Sequence, residues 1–351
     1  MKSKKILGLL LVVTLLSATV FGSVSVFAAG GETNVTQKSY LPPVKTLFVD
    51  DDFENRTVDA LASAQPSNAA YQYPIGSRSG TGIKIAQESD EAANKYAIYN
   101  NGWQTVECDS ENLANANSLV ISFRTLISDV GGNVKIRFSS TGSAISFQRL
   151  TGEKIQIKSY KTNSTPDAAI NTVTVGGNGA DWVDCSVVFE KATEKTVRIK
   201  SLFINGEKIE KAKNSTANMT LYDGCSWISA KNVGIQATAA KTQIDDILVY
   251  EPYDVYMKDA NIASKSVTIV NDSAAEVSGK VFLALYDENK NLVYATEYTG
   301  EVKVPANGSL PVVLTDEIDV PNAKSAKIFF WDKGLLAPHC SAQEIDLSLI
   351  S

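Results

Sequence analysis

Histidine is nearly missing from this sequence, and its scarcity limits the chemistry that the chain can perform. The single histidine is His339, close to the end of the 351 residues. Histidine is the side chain that most often moves protons in enzymes, and Ser-His-Asp triads use it as their general base. The sequence therefore excludes histidine acid–base catalysis and such a triad from everything that precedes residue 339.

Cysteine is scarce as well. The four cysteines are too few for a disulfide scaffold, because Cys108, Cys185 and Cys225 fall in one predicted domain and Cys340 in another. At most one disulfide within a domain is expected, and the spacings match no zinc or redox motif. Cys185 lies in an apolar register of its segment, which predicts a small buried hydrophobic side chain.

An excess of positive charge is also absent. The formal net charge is −6. It becomes about −9 when the three lysines at positions 2, 4 and 5 are subtracted with the N-terminal segment that carries them. An acidic chain is a poor partner for nucleic acid and for an anionic membrane surface, so we exclude both as partners.

The N-terminal residues have the pattern of a secretory signal peptide. A basic start is followed by a nearly unbroken apolar run over residues 6–16, and small residues then lead to Val26-Phe27-Ala28, which fits a signal-peptidase cleavage site. The apolar run is too short for a membrane-spanning anchor. We expect a signal peptide over residues 1–28, a linker over residues 29–45, and a secreted, extracellular protein that has no membrane association after cleavage.

The clearest structural pattern lies in residues 180–208. Apolar residues from Val183 to Phe189 alternate with polar ones, a charged turn follows, and a second alternating run ends at Asn205-Gly206. Such alternation is typical of half-buried strands, and Asn-Gly favours a tight hairpin because both residues adopt positive φ. Short strands of this kind recur about every 10 residues as far as residue 252, with no amphipathic helix between them. They predict an all-β fold of two packed antiparallel sheets.

A second set of strands follows Pro252. Residues 255–351 contain about seven of them, a count that suits a smaller immunoglobulin-like β-sandwich. We therefore predict two domains, over residues 46–252 and 255–351.

Three segments of the first domain resemble the concanavalin A-like lectin/glucanase jelly roll in its laminin-G-like form. The hairpin segment 180–208, with its Ile-Asn-Gly-Glu turn, is similar to that family's paired strands. The segments Phe48–Glu54 and Ile244–Tyr250 resemble its first and last strands, which lie beside each other. The galactose-binding-like jelly roll has similar ends and is the alternative fold. Residues 255–351 resemble an accessory β-sandwich of secreted, often carbohydrate-active proteins of Gram-positive anaerobes.

The resemblance implies a sugar site, and aromatic rings are the side chains that stack on a pyranose face. Trp182 begins a predicted strand and is expected to cap the core. The predicted carbohydrate-binding residues are therefore the aromatic residues beside Gly and Asn in loop-like segments: Tyr99, Trp103, Tyr222 and Trp227.

The acidic clusters near the two ends of the first domain suggest a structural calcium ion. If the terminal strands are adjacent, Asp51, Glu54 and Asp245 offer hard oxygen ligands to one ion. The alternative is that these carboxylates are solvated edge charges that discourage strand-to-strand aggregation.

No catalytic motif is present. Retaining glucanases of the resembled fold carry Glu-x-Asp-x-x-Glu on one strand, and the nearest run here, Glu88-Ser-Asp90-Glu91, lacks the third carboxylate. We predict a secreted, non-catalytic protein that binds a cell-wall or plant polysaccharide. An extracellular structural or protein-interaction module is the first alternative, and a glycan hydrolase or lyase without a recognisable motif is the second. The sequence does not specify the glycan or the oligomeric state.

Overall fold

The regular elements of the computed structural model are β-strands, so the predicted all-β fold class is confirmed. The structure describes residues 38–54, 56–59, 75–77, 83–87, 94–99, 104–109, 115–138, 142–162, 165–176, 181–193, 196–221, 232–237, 242–261, 266–297, 300–313, 322–334, 337–340 and 342–346. Within these ranges, no helix is long and apolar enough to span a membrane. The predicted signal peptide lies outside them. The chain divides into two compact units at Pro252 and Tyr253.

The first unit contains the strands β1 to β15. Their bounds are Val44–Asp51, Ile75–Ser77, Ile83–Gln87, Lys95–Tyr99, Gln104–Asp109, Ser118–Leu126, Asn133–Phe138, Gly142–Leu150, Lys154–Tyr160, Pro166–Thr174, Val183–Thr193, Thr196–Ile204, Glu207–Lys208, Asn232–Ala237 and Thr242–Pro252. One sheet has eight strands in the order β13-β12-β11-β6-β15-β4-β3, with β1 also paired to β15. The other has seven, in the order β10-β9-β8-β7-β14-β5-β2.

The hairpin predicted at Asn205-Gly206 is present. Ile204 pairs with Glu207 across the turn, and both central residues have positive φ, at 50° and 81°. These angles are those of the mirror-image turn that matches the twist of paired strands. The hairpin joins β12 to the short edge strand β13.

The first and last strands of this unit lie side by side, as the sequence suggested. β1 pairs with the second half of β15, from Ile247 to Pro252. The first half of β15 pairs with β4 instead. Asp246 separates the two halves and has a φ of 48° at a register shift. The kink lets two strands share one edge of β15.

The core of the first unit lies between its two sheets. Aromatic pairs join the sheets edge to face: Phe138 of β7 lies 4.9 Å from Phe189 of β11, and Phe123 of β6 lies 5.9 Å from Phe147 of β8 (ring centroids). All four side chains are fully buried. Cys185 is buried as predicted, and burial raises the pKa of its thiol far above the usual range. It is therefore an unreactive hydrophobic residue.

Part of the predicted linker over residues 29–45 packs against the first unit, and residues 29–37 lie outside the described residues. Residues 38–43, here called the N-terminal strap, lie against the outer face of the eight-stranded sheet. Leu41 is buried there in a small apolar cluster with Val120, Val188, Leu248 and Tyr250. Lys38 pairs with Asp184 at 2.9 Å. The flanking polar residues and prolines resemble a linker in the sequence, but apolar contacts hold them on the sheet.

Removal of the Tyr250 hydroxyl should loosen the strap. This hydroxyl is buried and donates a 2.7 Å hydrogen bond to the carbonyl of Pro42. We expect Tyr250→Phe to lower the free energy of unfolding by about 1–3 kcal/mol, because a buried carbonyl loses its donor. Urea denaturation followed by circular dichroism measures the change. A loss below about 0.5 kcal/mol, the usual scatter of surface substitutions, would contradict the described anchoring.

The second unit contains the strands β16 to β23. Their bounds are Val255–Asn261, Ser266–Asn271, Val277–Tyr286, Leu292–Glu297, Val302–Val304, Gly308–Val313, Ser325–Asp332 and Gln343–Asp346. They form a three-stranded sheet, β16-β17-β21, and a five-stranded sheet, β19-β18-β22-β23 with β20 on β18. An apolar core lies between the two sheets. The unit is thus a β-sandwich, and its immunoglobulin-like identity stays a prediction.

One buried amide fixes the loops of the second unit. Asn271 has no exposed surface, and its Nδ2 donates to the carbonyl oxygens of Ala275, Val304 and Pro305 at 2.8 to 3.1 Å. Its Oδ1 accepts from the backbone and hydroxyl of Ser273. This residue has the role of a structural cross-link.

Candidate functional site

Most of the predicted aromatic site residues lie outside the described residues. This is the case for Trp103, Tyr222 and Trp227. For Tyr99 the backbone alone is described: it ends β4 and pairs with Ile83 and Thr242. The predicted aromatic site therefore stays a prediction.

Trp182 precedes β11 and is half-buried. Its ring lies 5.6 Å from that of Tyr96 in an edge-to-face arrangement, and the Arg124 guanidinium lies 5.0 Å from the ring centroid. Arg124 pairs in register with Asp184 and with Asp245. Trp182 therefore packs in a cluster with an arginine and a second aromatic ring.

The three predicted calcium ligands have other partners. The buried carboxylate of Asp51 accepts a hydrogen bond from Arg56 and another, 3.1 Å long, from the backbone of Phe53. Glu54 accepts from the backbone N–H of Lys95 at 3.0 Å. These contacts tie the chain after β1 to β4.

Asp245 is the most deeply buried of the three, with 1% of its surface exposed. Its Oδ1 accepts from the backbone of Asp246, while its Oδ2 has no hydrogen-bond partner and lies 3.8 Å from Arg124. Burial, and next the charge of Asp246, raise the pKa of Asp245 to about 8. Burial and neighbouring aspartates likewise raise the pKa of Asp50 to about 6.

These carboxylates do not assemble into a metal centre. Among the residues that the structure describes, no group of three or more His, Cys, Asp or Glu side chains is placed to hold one ion. The buried Asp51 carboxylate is engaged by Arg56. Calcium therefore stays a prediction from the sequence, without support from this geometry.

A cavity of about 360 Å³ opens beside strand β10 and the β12–β13 hairpin. Its lining consists of Val173, Thr174, Val175, Ile204, Asn205, Glu207 and Ile209. The lining includes no aromatic ring, so the cavity lacks the stacking surface that sugar sites typically use.

Among the residues that the structure describes, the outer face of the seven-stranded sheet carries an extended set of polar residues. In β7, Val134, Ile136 and Phe138 belong to the core, so alternation places Lys135 and Arg137 on the opposite side. Paired residues of an antiparallel sheet share a face, and they form three rows across it. The first row joins Glu107, Gly234, Arg137 and Ser143; the second joins Thr105, Gln236, Lys135, Ser146, Lys158 and Ala169; the third joins Asn133, Gln148, Gln156 and Thr172. We call this surface the polar face.

Four side chains of the polar face are buried and form a layer beneath its accessible groups. Lys135, Ser146, Tyr160 and Gln236 are each less than 9% exposed. The Lys135 ammonium lies 5.2 Å from the centroid of the Tyr160 ring, and the Tyr160 hydroxyl is hydrogen-bonded to Ser146. Burial, and next the charge of Arg137, lower the pKa of Lys135 to about 8. Burial raises the pKa of Tyr160, which therefore stays neutral.

A second layer of the polar face is accessible. Arg137, Gln148, Gln156 and Lys158 are half-buried. Nζ of Lys158 donates to Oε1 of Gln148 over 3.4 Å. These groups offer amide and cationic donors together with amide acceptors, which is the chemistry that reads hydroxyl and carboxylate groups. Rigid strands hold them, and rigid elements position a binding site better than loops do.

The sequence analysis did not identify the polar face as a site. The available signal was the repetition of Lys, Arg and Gln at outward positions of consecutive strands, such as Lys135 and Arg137 in β7 and Gln156 and Lys158 in β9. Such residues are also typical of any solvated strand. Their grouping into rows depends on strand register, which the sequence alone does not show.

Comparisons with known proteins do not assign the chain to a family. No protein-family model matches it, and no curated protein matches it. Solved structures with partial similarity include the binding domain of botulinum neurotoxin DC in complex with SialylT, with 10% identity, a TM-score of 0.37, and coverage of 82% of this chain and 78% of that one. A galectin-like protein of unknown function from Bacillus subtilis has 10% identity, a TM-score of 0.33, and coverage of 60% and 98%. Galectin LEC-6 of Caenorhabditis elegans has 10% identity, a TM-score of 0.27, and coverage of 41% and 89%.

Proposed function

We propose that this chain is a secreted, non-catalytic carbohydrate-binding protein whose ligand, a cell-wall or plant polysaccharide, lies on the polar face. One observation carries the proposal: three rows of mainly polar residues cross the seven-stranded sheet, and the side chains of Lys135, Ser146, Tyr160 and Gln236 form a buried layer beneath the accessible ones. A polysaccharide is an extended polymer of hydroxyl groups. An extended polar surface on rigid strands matches that shape and chemistry.

The other sheet is a poorer binding surface. Its outer face is covered over β6, β11 and β15 by the N-terminal strap, and Leu41 and Tyr250 are buried between them. A ligand there would have to displace the strap. This supports the polar face as the place where a glycan binds.

The composition of the rows supports binding without catalysis. Glycoside hydrolysis ordinarily requires two carboxyl groups that flank the scissile bond. The three rows contain one carboxylate residue, Glu107, and a second, Asp109, follows it on the same face of β5 outside the rows. The rows themselves therefore do not supply such a pair. Secretion is supported by the signal-like pattern of residues 1–28.

Affinity electrophoresis tests this function. The chain without residues 1–28 is run through gels that contain neutral and acidic polysaccharides, and reducing sugars are assayed in parallel. We expect retardation by at least one polysaccharide and no sugar release. The double variant Gln148→Ala/Gln156→Ala should bind about tenfold more weakly, because each lost hydrogen bond contributes about 0.5–1.5 kcal/mol.

The matched control is Gln343→Ala in β23 of the second unit, which removes the same side-chain amide away from the polar face. It should bind like the unchanged chain. Equal retardation of all three proteins would exclude the polar face as the site and favour the loops of Trp103 and Trp227. Release of reducing sugar would show catalysis. Retardation that EDTA abolishes would support calcium.

A further inference from the structure

Cationic side chains are concentrated on the polar face of a chain that is acidic as a whole. The three rows contain Lys135, Arg137 and Lys158, against the single acidic residue Glu107. The formal charge along the rows is thus +2, by subtraction of one from three, and +1 when Asp109, the next residue of β5 on this face, is also subtracted, while the whole chain carries −6. Such a reversal of sign creates a local field that attracts anions.

The cations are arranged along the sheet. Lys135 and Lys158 belong to the same row, on β7 and β9, with Ser146 of β8 between them. Neighbouring strands lie about 4.8 Å apart, so the backbones of β7 and β9, which have β8 between them, are separated by about 10 Å. Arg137 lies in the adjacent row, on the same strand and the same face as Lys135. A polymer with repeated negative groups that lies across these strands meets the accessible Arg137 and Lys158, while the buried Lys135 adds positive charge beneath them.

Neutral neighbours support these cations. Lys158 donates to the amide of Gln148, and the ammonium of Lys135 lies over the ring of Tyr160. A positive charge that is positioned by an amide or by an aromatic ring keeps its attraction for a bound anion.

We infer that the ligand of the polar face is an acidic polysaccharide whose sugar units carry carboxylate groups. This inference rests on the proposed function. The guanidinium of Arg137 matches a carboxylate with two parallel hydrogen bonds, Lys158 contributes an accessible point charge, and the buried Lys135 contributes its charge from beneath the surface. The amides of Gln148 and Gln156 contact the hydroxyl groups of the same polymer.

The test compares polymers that differ in charge. Polygalacturonate and its fully methyl-esterified form share one backbone, and the ester removes the negative charge. By isothermal titration in 50 mM NaCl we expect at least tenfold tighter binding of polygalacturonate, weakened about tenfold in 500 mM NaCl because salt screens the charges. Dextran sulfate and dextran form a second pair on a different backbone. If dextran sulfate bound as tightly as polygalacturonate, negative charge alone would be recognised and the assignment of carboxylate-bearing sugars would be overturned.

The variant Arg137→Gln/Lys158→Gln should lose the preference for polygalacturonate, with about a 100-fold drop in its affinity. Lys208→Gln, on the edge strand β13, removes a lysine outside the rows and should change nothing. The inference is overturned if polygalacturonate and its methyl-esterified form bind equally well, or if duplex DNA binds as tightly as polygalacturonate. In the first case the proposed function still stands. Binding of no polysaccharide overturns both.

The acidic-glycan affinity should also fall at high pH. Lys135 faces Arg137 on its own strand, Lys158 and Tyr160 on β9, Ser146 on β8 and Gln236 on β14, and its pKa is about 8. Above that pH the side chain loses its charge, so we expect weaker polygalacturonate binding at pH 10 than at pH 7. The Lys135→Gln variant should lack this fall. If the Lys135→Gln variant lost as much affinity between pH 7 and pH 10 as the unchanged chain, Lys135 would have no role in binding.

Discussion

Replacement of Phe189 by alanine should lower the free energy of unfolding of the first unit by about 3–5 kcal/mol. The Phe189 ring is fully buried on β11 and meets Phe138 of the opposite sheet edge to face, with centroids 4.9 Å apart. The substitution removes a large apolar side chain and leaves a cavity between the sheets, which the close-packed core cannot fill. Urea denaturation followed by circular dichroism measures the effect.

Phe203→Ala is the matched control. Phe203 is half-buried on β12 and packs at 5.2 Å against Tyr40 of the N-terminal strap, on the outer side of the sheet. The same chemical change there should cost about 1–2 kcal/mol. If the two variants were equally stable, the interior of the first unit would not be the interface between these two sheets.

Replacement of Arg56 by methionine should have a comparably large effect. The Arg56 guanidinium donates to the buried carboxylate of Asp51 and lies 5.4 Å from the centroid of the Phe53 ring. Methionine leaves the carboxylate buried without its cation, which typically costs about 3–5 kcal/mol. The measurement is again the free energy of unfolding, at pH 7.

The free energy of unfolding that Arg56→Met loses should be larger at high pH than at low pH. Burial raises the pKa of Asp51 above its usual value, and the charge of Arg56 partly offsets this rise. Without Arg56 the carboxyl takes up a proton more readily in the folded chain. The destabilisation should therefore be largest at pH 7 and smaller at pH 5, where protonation removes the buried charge.

The double variant Asp51→Asn/Arg56→Met separates the charge from the packing. Asparagine keeps an oxygen that accepts from the backbone of Phe53, as Asp51 does at 3.1 Å. We expect it to recover at least half of the stability that Arg56→Met loses. A single Arg56→Met variant within about 1 kcal/mol of the unchanged chain would show that the pair is solvated.

Local patterns were sufficient to predict the strands of the central hairpin. The alternation over Val183–Phe189 and the Asn205-Gly206 pair depend on neighbours in the chain, and both are present as predicted. The pairing of β1 with β15 also followed from the resemblance of the two ends. The sharing of β15 between β1 and β4 could not be predicted, because it depends on a kink at Asp246.

The N-terminal strap and the polar face show where sequence reasoning ends. Leu41 and Pro42 lie among polar residues and look like a linker, but their burial depends on Tyr250, more than 200 positions away. Lys135 and Lys158 belong to one row because β8 lies between their strands. Both features arise from long-range register, which alternation does not encode.

Hydrogen–deuterium exchange of the chain with and without a bound polysaccharide tests the central claim most directly. The proposed site predicts slower exchange in the peptides that contain β7, β8 and β9, over residues 133–160. The strap over residues 38–43 should exchange unchanged, because the ligand lies on the other sheet. Protection that is confined to the segments around Trp103 and Trp227, with none in residues 133–160, would contradict a glycan site on the polar face.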